Sequence, residues 1–357
     1  MASANKNKVD IELPDGTIVK AFAPVIVSAS RSTDIPAFYA DWFFKRLEKG
    51  YSVWTNPFNG VPSYVTFQKT RFIVFWSKNP YPLLPYLDRL KEMGINCYIQ
   101  YSLNDYEAEG LEKCVPAKDF RINTFKSLVE KLGNGHVVWR FDPMILTDDI
   151  SIDNLLEKVR YIGNELQGYT EKLVFSFADI FSYRKVKSNL EKNGIKYIEW
   201  TTEMMNAFAI RLAAMNKELG WNFQLATCGE KIDIEKYGIL HNKCVDDDLI
   251  IRLAYKDGIL MKHLKAEIHR RGENLFDLEP VDSLNINDEY YAVKQKDNKD
   301  NKDKGQRAFC GCIDSKDIGQ YNTCPHLCEY CYANTNKETA LSNYRKHKSN
   351  PDKDSII

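Results

Sequence analysis

The sequence predicts an α/β protein built on a parallel sheet, and three observations carry that prediction. Six short apolar runs recur along the chain, each followed by a stretch with helical periodicity. No Gly-rich phosphate loop follows any of them, which argues against a dinucleotide-binding or P-loop fold. Polar residues gather where each run ends, the end at which α/β barrels place their active sites. A sheet of this size can be an open layer or a closed or partial barrel.

Taken in order, residues 10–23 read as a short hairpin around Pro14-Asp15-Gly16. The first run, Val25-Ile26-Val27, leads through Ser28, Ser30 and Arg31 to Asp34 and Pro36, a cap and a first-turn residue for a helix over 38–47. Residues 51–68 read as two extended pieces around a Gly-Val-Pro turn. The second run, 72–76, breaks at Ser77-Lys78-Asn79-Pro80 before a helix over 83–93. The third, 97–99, ends in Gln100-Tyr101-Ser102 and precedes a helix over 118–132. The fourth, 137–141, carries Arg140 and ends at Asp142-Pro143, with Ser151 capping a helix over 152–166. The fifth, 173–177, carries Ser176; a helical region broken near Gly194 and a helix over 201–219 follow it. The sixth, 223–227, ends at Cys228-Gly229-Glu230, and residues 246–270 add a helix and an extended piece.

Four segments follow from this reading. They are an α/β domain with its hairpin (1–283), a polar mobile loop (284–306), a cysteine-rich segment (307–336) and a polar tail, frayed or a surface helix (337–357). The 357 residues carry 49 basic and 49 acidic side chains, so no overall field recruits nucleic acid or an anionic membrane. Residues 1–10 are polar, unlike a signal peptide, and no run approaches the length of a membrane span. The expectation is a cytoplasmic chain with no membrane partner.

In that compartment nine cysteines are better explained by metal than by disulfides. Cys97 and Cys114 read as ordinary residues. Cys324, Cys328 and Cys331 follow the spacing Cys-x3-Cys-x2-Cys, with Tyr330 just before the last. Three thiolates on one loop can hold three irons of a [4Fe–4S] cluster and leave the fourth iron open. A zinc site using these thiols with His326 or another ligand stays open as an alternative. Cys228, Cys244, Cys310 and Cys312 make a complete ligand set for a second [4Fe–4S] cluster or a zinc ion; otherwise Cys228 and Cys244 pack the core.

Residues 28–36, 140–143, 226–230 and 310–334 resemble a family of uncharacterised bacterial and archaeal proteins with a domain of unknown function. The Cys324 loop resembles the cluster loop of radical S-adenosylmethionine (SAM) enzymes, and the chain is more distantly similar to spore photoproduct lyase. The resemblance implies a partial (β/α)6 TIM-like barrel, with the cysteine-rich segment crossing its mouth because the loop after the first strand holds no cysteine. It also implies a cluster that cleaves SAM to a 5′-deoxyadenosyl radical, an electron donor such as a flavodoxin or ferredoxin, and a small-molecule or macromolecular substrate. Tyr330 would stack on adenine; Arg31, Lys78 or Arg140 would hold the SAM carboxylate; Ser102, Asp142 or Ser176 would hold ribose hydroxyls. Arg31, Asp34, Arg140 and Asp142 are the catalytic candidates. The alternatives are a non-catalytic iron–sulfur or zinc protein and a nucleic-acid repair enzyme. On the leading reading, Cys324, Cys328 and Cys331 face the ends of the strands.

Overall fold

Each of the six apolar runs forms a strand, and all six share one sheet. The computed structural model describes residues 8–273, 279–295, 301–303, 305 and 310–357. The chain opens with the antiparallel strands β1 (Lys8–Glu12) and β2 (Ile18–Phe22), the predicted hairpin. β3 (Ile26–Ala29) leads through α1 (Ile35–Phe38) and α2 (Ala40–Lys49) to β4 (Tyr51–Thr55) and β5 (Pro62–Thr66). The last two strands extend the hairpin into a four-stranded sheet. After β6 (Phe72–Ser77), a 3₁₀ stretch, Tyr81–Tyr86, precedes α3 (Leu87–Glu92). Pro85 has no N–H for an α-helical ladder, so regular helix begins only beyond it.

β7 (Asn96–Ser102), α4 (Lys118–Leu132), β8 (Val137–Met144), β9 (Leu146–Thr147) and α5 (Ile152–Leu166) follow. The Ser151 hydroxyl and the Asn154 side chain cap α5 reciprocally. Next come β10 (Lys172–Phe177), α6 (Arg184–Lys192), β11 (Tyr197–Ile198), α7 (Thr202–Glu218) and β12 (Gln224–Thr227). β13 (Leu240–His241), α8 (Asp247–Ala254) and α9 (Gly258–Leu264) precede a three-stranded antiparallel sheet of β14 (Ala266–Arg270), β15 (Leu284–Asn285) and β16 (Tyr290–Lys294). β17 (Lys316–Asp317) and α10 (Lys337–Ser349) come last.

The main sheet has eight strands, in the order β13-β12-β10-β8-β7-β6-β3-β17, and every pairing is parallel. From β3 to β12 the order follows the chain without reversal. Among the described residues β13 and β17 do not pair with each other, so the sheet does not close into a barrel. Because side chains alternate across a strand, the two faces have separate cores. Val27, Phe75, Ile99, Trp139 and Phe175 pack beneath α2 to α7. Ile26, Val74, Tyr98, Val138 and Val174 pack against α8, α9, Cys244, Cys310 and Cys312. All the crossover helices therefore lie on one face with Cys328, and Cys244, Cys310 and Cys312 lie on the other.

Two expectations need correction. Residues 284–306 are not one polar loop, since β15 and β16 fall inside them; residues 296–300, 304 and 306–309 lie outside the described residues. Nor does the tail fray after α10. Asp354 pairs with the fully buried Arg46, Trp42 Nε1 donates to the Lys353 carbonyl at 2.8 Å, and Ile356 is buried. These partners stand some 300 residues upstream, where local sequence gives no hint of them. No described helix is long and apolar enough to cross a membrane.

Candidate metal centre

The loop carrying Cys324, Cys328 and Cys331 is pressed onto the C-terminal ends of β3, β6 and β7. Three contacts set its position. Past β3, Asp34 caps α1 through the Ala37 N–H, and its other oxygen faces His326 Nε2 at 2.9 Å. Past β6, the Lys78 ammonium reaches Tyr330 Oη at 2.9 Å and Glu112 at 2.7 Å. Past β7, Asn104 Nδ2 donates to Tyr330 Oη at 3.0 Å, and Tyr330 itself donates to Glu112. Leu327 sits in the left-handed region at φ 54°, a conformation that costs a non-glycine residue about 1 kcal/mol and gathers at functional sites.

Cys328 is buried, and Cys324 and Cys331 are half-buried. Burial pushes the Cys324, Cys328 and Cys331 thiols up. Cys328 also feels the charges of Glu112, Cys331 and Cys324, with Lys78 opposing them. A cation bound among the three would supply the charge that burial denies them. Burial alone would raise the Asp34 carboxyl as well, but the His326 contact, the Ser77 hydroxyl and the Lys78 N–H outweigh it and hold the group low. Both ring nitrogens of His326 face oxygen, Nε2 at Asp34 and Nδ1 at the Cys114 carbonyl at 3.2 Å. His326 thereby braces the loop between Asp34 and the Cys114 carbonyl.

A second cluster lies on the face of the sheet opposite the crossover helices. Cys228 Sγ and Cys244 Sγ are 3.2 Å apart, and Cys312 Sγ accepts the backbone N–H groups of Cys244 and Val245 at 3.1 and 3.4 Å. Cys244 Sγ also accepts from Arg140 at 3.3 Å and from Asn242 at 3.2 Å. Donors converging on sulfur favour the thiolate, the form that binds metal. The contacts with Cys228 and Cys312, joined by the charges of Arg140 and Arg31, bring the Cys244 thiol well below its ordinary range. Cys310 falls to about 7 beside Cys312, while Cys312 is pushed up by Cys244 and Cys310, its competitors for negative charge. Among the described residues no three thiols lie within 4.8 Å of one another; Asp246, Asp247 and Asp248 do, but Lys243 and Lys294 already pair with that group.

The model of the domain of unknown function DUF1848 matches residues 26–333. The chain belongs to the DUF1848 family. No curated protein and no solved structure matches the chain. The matched stretch of the DUF1848 chain runs from the first sheet strand to just past the three-thiol loop, so it holds both thiol clusters.

The DUF1848 chain divides the sequence-predicted residues into two groups. Asp34, Lys78 and Tyr330 gather with Cys324, Cys328 and Cys331. Arg140, Asp142 and Ser176 gather with Cys228 and Cys244: Asp142 takes bonds from both Arg140 and Ser176. Arg31 joins the second group, with its guanidinium 5.3 Å from the Trp76 ring; Arg140 flanks the same ring at 5.4 Å. Ser102 pairs with Arg140 across the β7–β8 ladder. The Tyr330 hydroxyl is buried and held by Glu112, Lys78 and Asn104.

Sequence reading missed Asn104 and Glu112, and it noted His326 only as a zinc ligand. Asn104 continues the inward series Tyr98, Gln100, Ser102 by one further step of two, so a stricter use of strand period would have found it. Glu112 stands among other acidic residues, and nothing local sets it apart.

Proposed function

We propose that this chain is a radical SAM-type enzyme whose [4Fe–4S] cluster is held by Cys324, Cys328 and Cys331. The observation that carries the reading is the three-thiol loop, held against the ends of β3, β6 and β7 with Cys328, His326 and Tyr330 buried. The run of β3 to β12 in chain order, with helices on one face, supports reading the sheet as a partial (β/α)6 barrel with the thiols at its mouth. When bound, and reduced by an electron donor, such a cluster would supply the one-electron cleavage of SAM that starts hydrogen abstraction from a substrate. The chain's own residues hold the loop, exclude water and balance charge. Asp34 and His326 fix its first half, and Glu112, Lys78 and Asn104 fix Tyr330 in its second. On the same reading Arg140, Asp142 and Ser176 line the mouth as polar contacts for SAM.

We assign Cys228, Cys244, Cys310 and Cys312 to a second metal site, favoured by the donors that converge on Cys244 and Cys312. Anaerobic reconstitution tests both assignments. About eight irons per chain indicate two cubane clusters, and about four indicate one. Reductant and SAM should then yield 5′-deoxyadenosine, and Cys328→Ala should abolish it. A reconstituted chain that makes none, and that Cys328→Ala leaves unchanged in iron content, removes the proposal.

A further inference from the structure

An open cleft of about 400 Å³ adjoins the three-thiol loop, lined by Ser182, Tyr183, Arg184, Lys185, Tyr321 and Tyr332. Volumes of this order hold small organic ligands. Tyr332 follows Cys331 directly. A ligand in the cleft would therefore sit beside the thiols.

The charges of the cleft run against local preference. Arg184 and Lys185 open α6, where the helix dipole is positive and acidic side chains are favoured, yet its first turn contains no acidic residue. Neither cation forms an ion pair among the described residues, and both are exposed. Two unpaired cations at the positive end of a helix repel each other and the helix alike, and an anion between them relieves both repulsions. Such conflicts between local rule and sequence cluster at functional sites. The lining is also aromatic: the Tyr183 and Tyr332 rings lie 6.2 Å apart, and the Tyr332 hydroxyl donates to the Arg31 carbonyl at 2.7 Å, which fixes its ring. Fixed tyrosine rings offer a planar ligand a stacking surface.

We propose that this cleft is the substrate site and that it takes a nucleoside phosphate, with the phosphate between Arg184 and Lys185 and the base against Tyr332. SAM fits it poorly, since its sulfonium and ammonium would face the two lysine and arginine cations. Calling the ligand a substrate rests on the cluster reading above; the binding itself does not, and it is tested on the full chain without iron.

The measurement is calorimetric titration with AMP, adenosine, inorganic phosphate and SAM. AMP should bind at least about tenfold more tightly than adenosine or phosphate, and the double variant Arg184→Glu, Lys185→Glu should lose at least about tenfold in AMP affinity. Both residues are exposed, so the variant should fold as the parent does. Lys187→Glu, on the same helix but outside the cleft, should leave AMP affinity unchanged. The proposal is overturned if adenosine or SAM binds as tightly as AMP, if AMP does not bind, or if the double variant or Lys187→Glu behaves otherwise than stated.

Discussion

At the scale of single residues, the heaviest electrostatic dependence falls on Glu112. Burial would raise its carboxyl, but Lys78 and Arg121, with help from the Tyr330 hydroxyl, outweigh that and hold it at about 2, below its ordinary 4.5. A carboxylate depressed in the folded state stabilises it above the ordinary value, and that stability is lost as pH falls through the folded one. Acid titration of stability should therefore show a loss of about 3 kcal/mol between pH 4.5 and 2. Glu112→Gln should flatten this limb and cost about 3–5 kcal/mol at neutral pH, because it leaves the Lys78 and Arg121 charges buried without a partner. Equal stability of variant and parent in chemical denaturation would show that the pair is neutralised in another way.

At the scale of elements, the short strand β17 is the strap that brings the cysteine-rich segment across the sheet. Asp317 accepts from the backbone N–H groups of Arg31 at 2.7 Å and Gly319 at 2.9 Å and from the hydroxyls of Ser28, Ser30 and Ser32 at 3.0 to 3.4 Å. Gly319 permits the approach, since a Cβ there would overlap the Ser30 hydroxyl. Asp317→Ala should cost about 3 kcal/mol locally and speed hydrogen exchange at the Ile318 amide, which bonds to the Ser28 carbonyl, about a hundredfold. Unchanged exchange at Ile318 would mean that β17 is held without Asp317. The strap also shows where sequence reading stops. The six central strands were legible because each is buried on both faces and therefore reads as a continuous apolar run. Strands β13 and β17, of two residues each, are too short for any periodicity. Tyr290–Lys294 was lost in its polar surroundings. The thiol loop was legible from spacing alone, whereas Glu112 and Asp317 acquire their roles only through partners distant in sequence.

At the scale of the whole molecule, the second thiol cluster joins residues from positions 228, 244, 310 and 312, and the loop at 324–331 rests on the ends of three strands. Metal bound at such places stabilises the folded chain alone, since the unfolded chain scatters the ligands. The metal-loaded protein should therefore melt at least about 5 °C above the chelator-stripped one in differential scanning calorimetry. Coincident melting curves would remove both thiol clusters as metal sites. The strand order described above also has a meaning in time. During synthesis, β3 to β12 leave the ribosome in the same sequence in which they lie side by side, so each can add to a waiting edge before its successor is translated. Cys310 to Cys331 are translated only afterwards. A nascent chain thus owns its receptor before it owns the reactive sulfurs that dock there, and those sulfurs spend little of their life unsheltered.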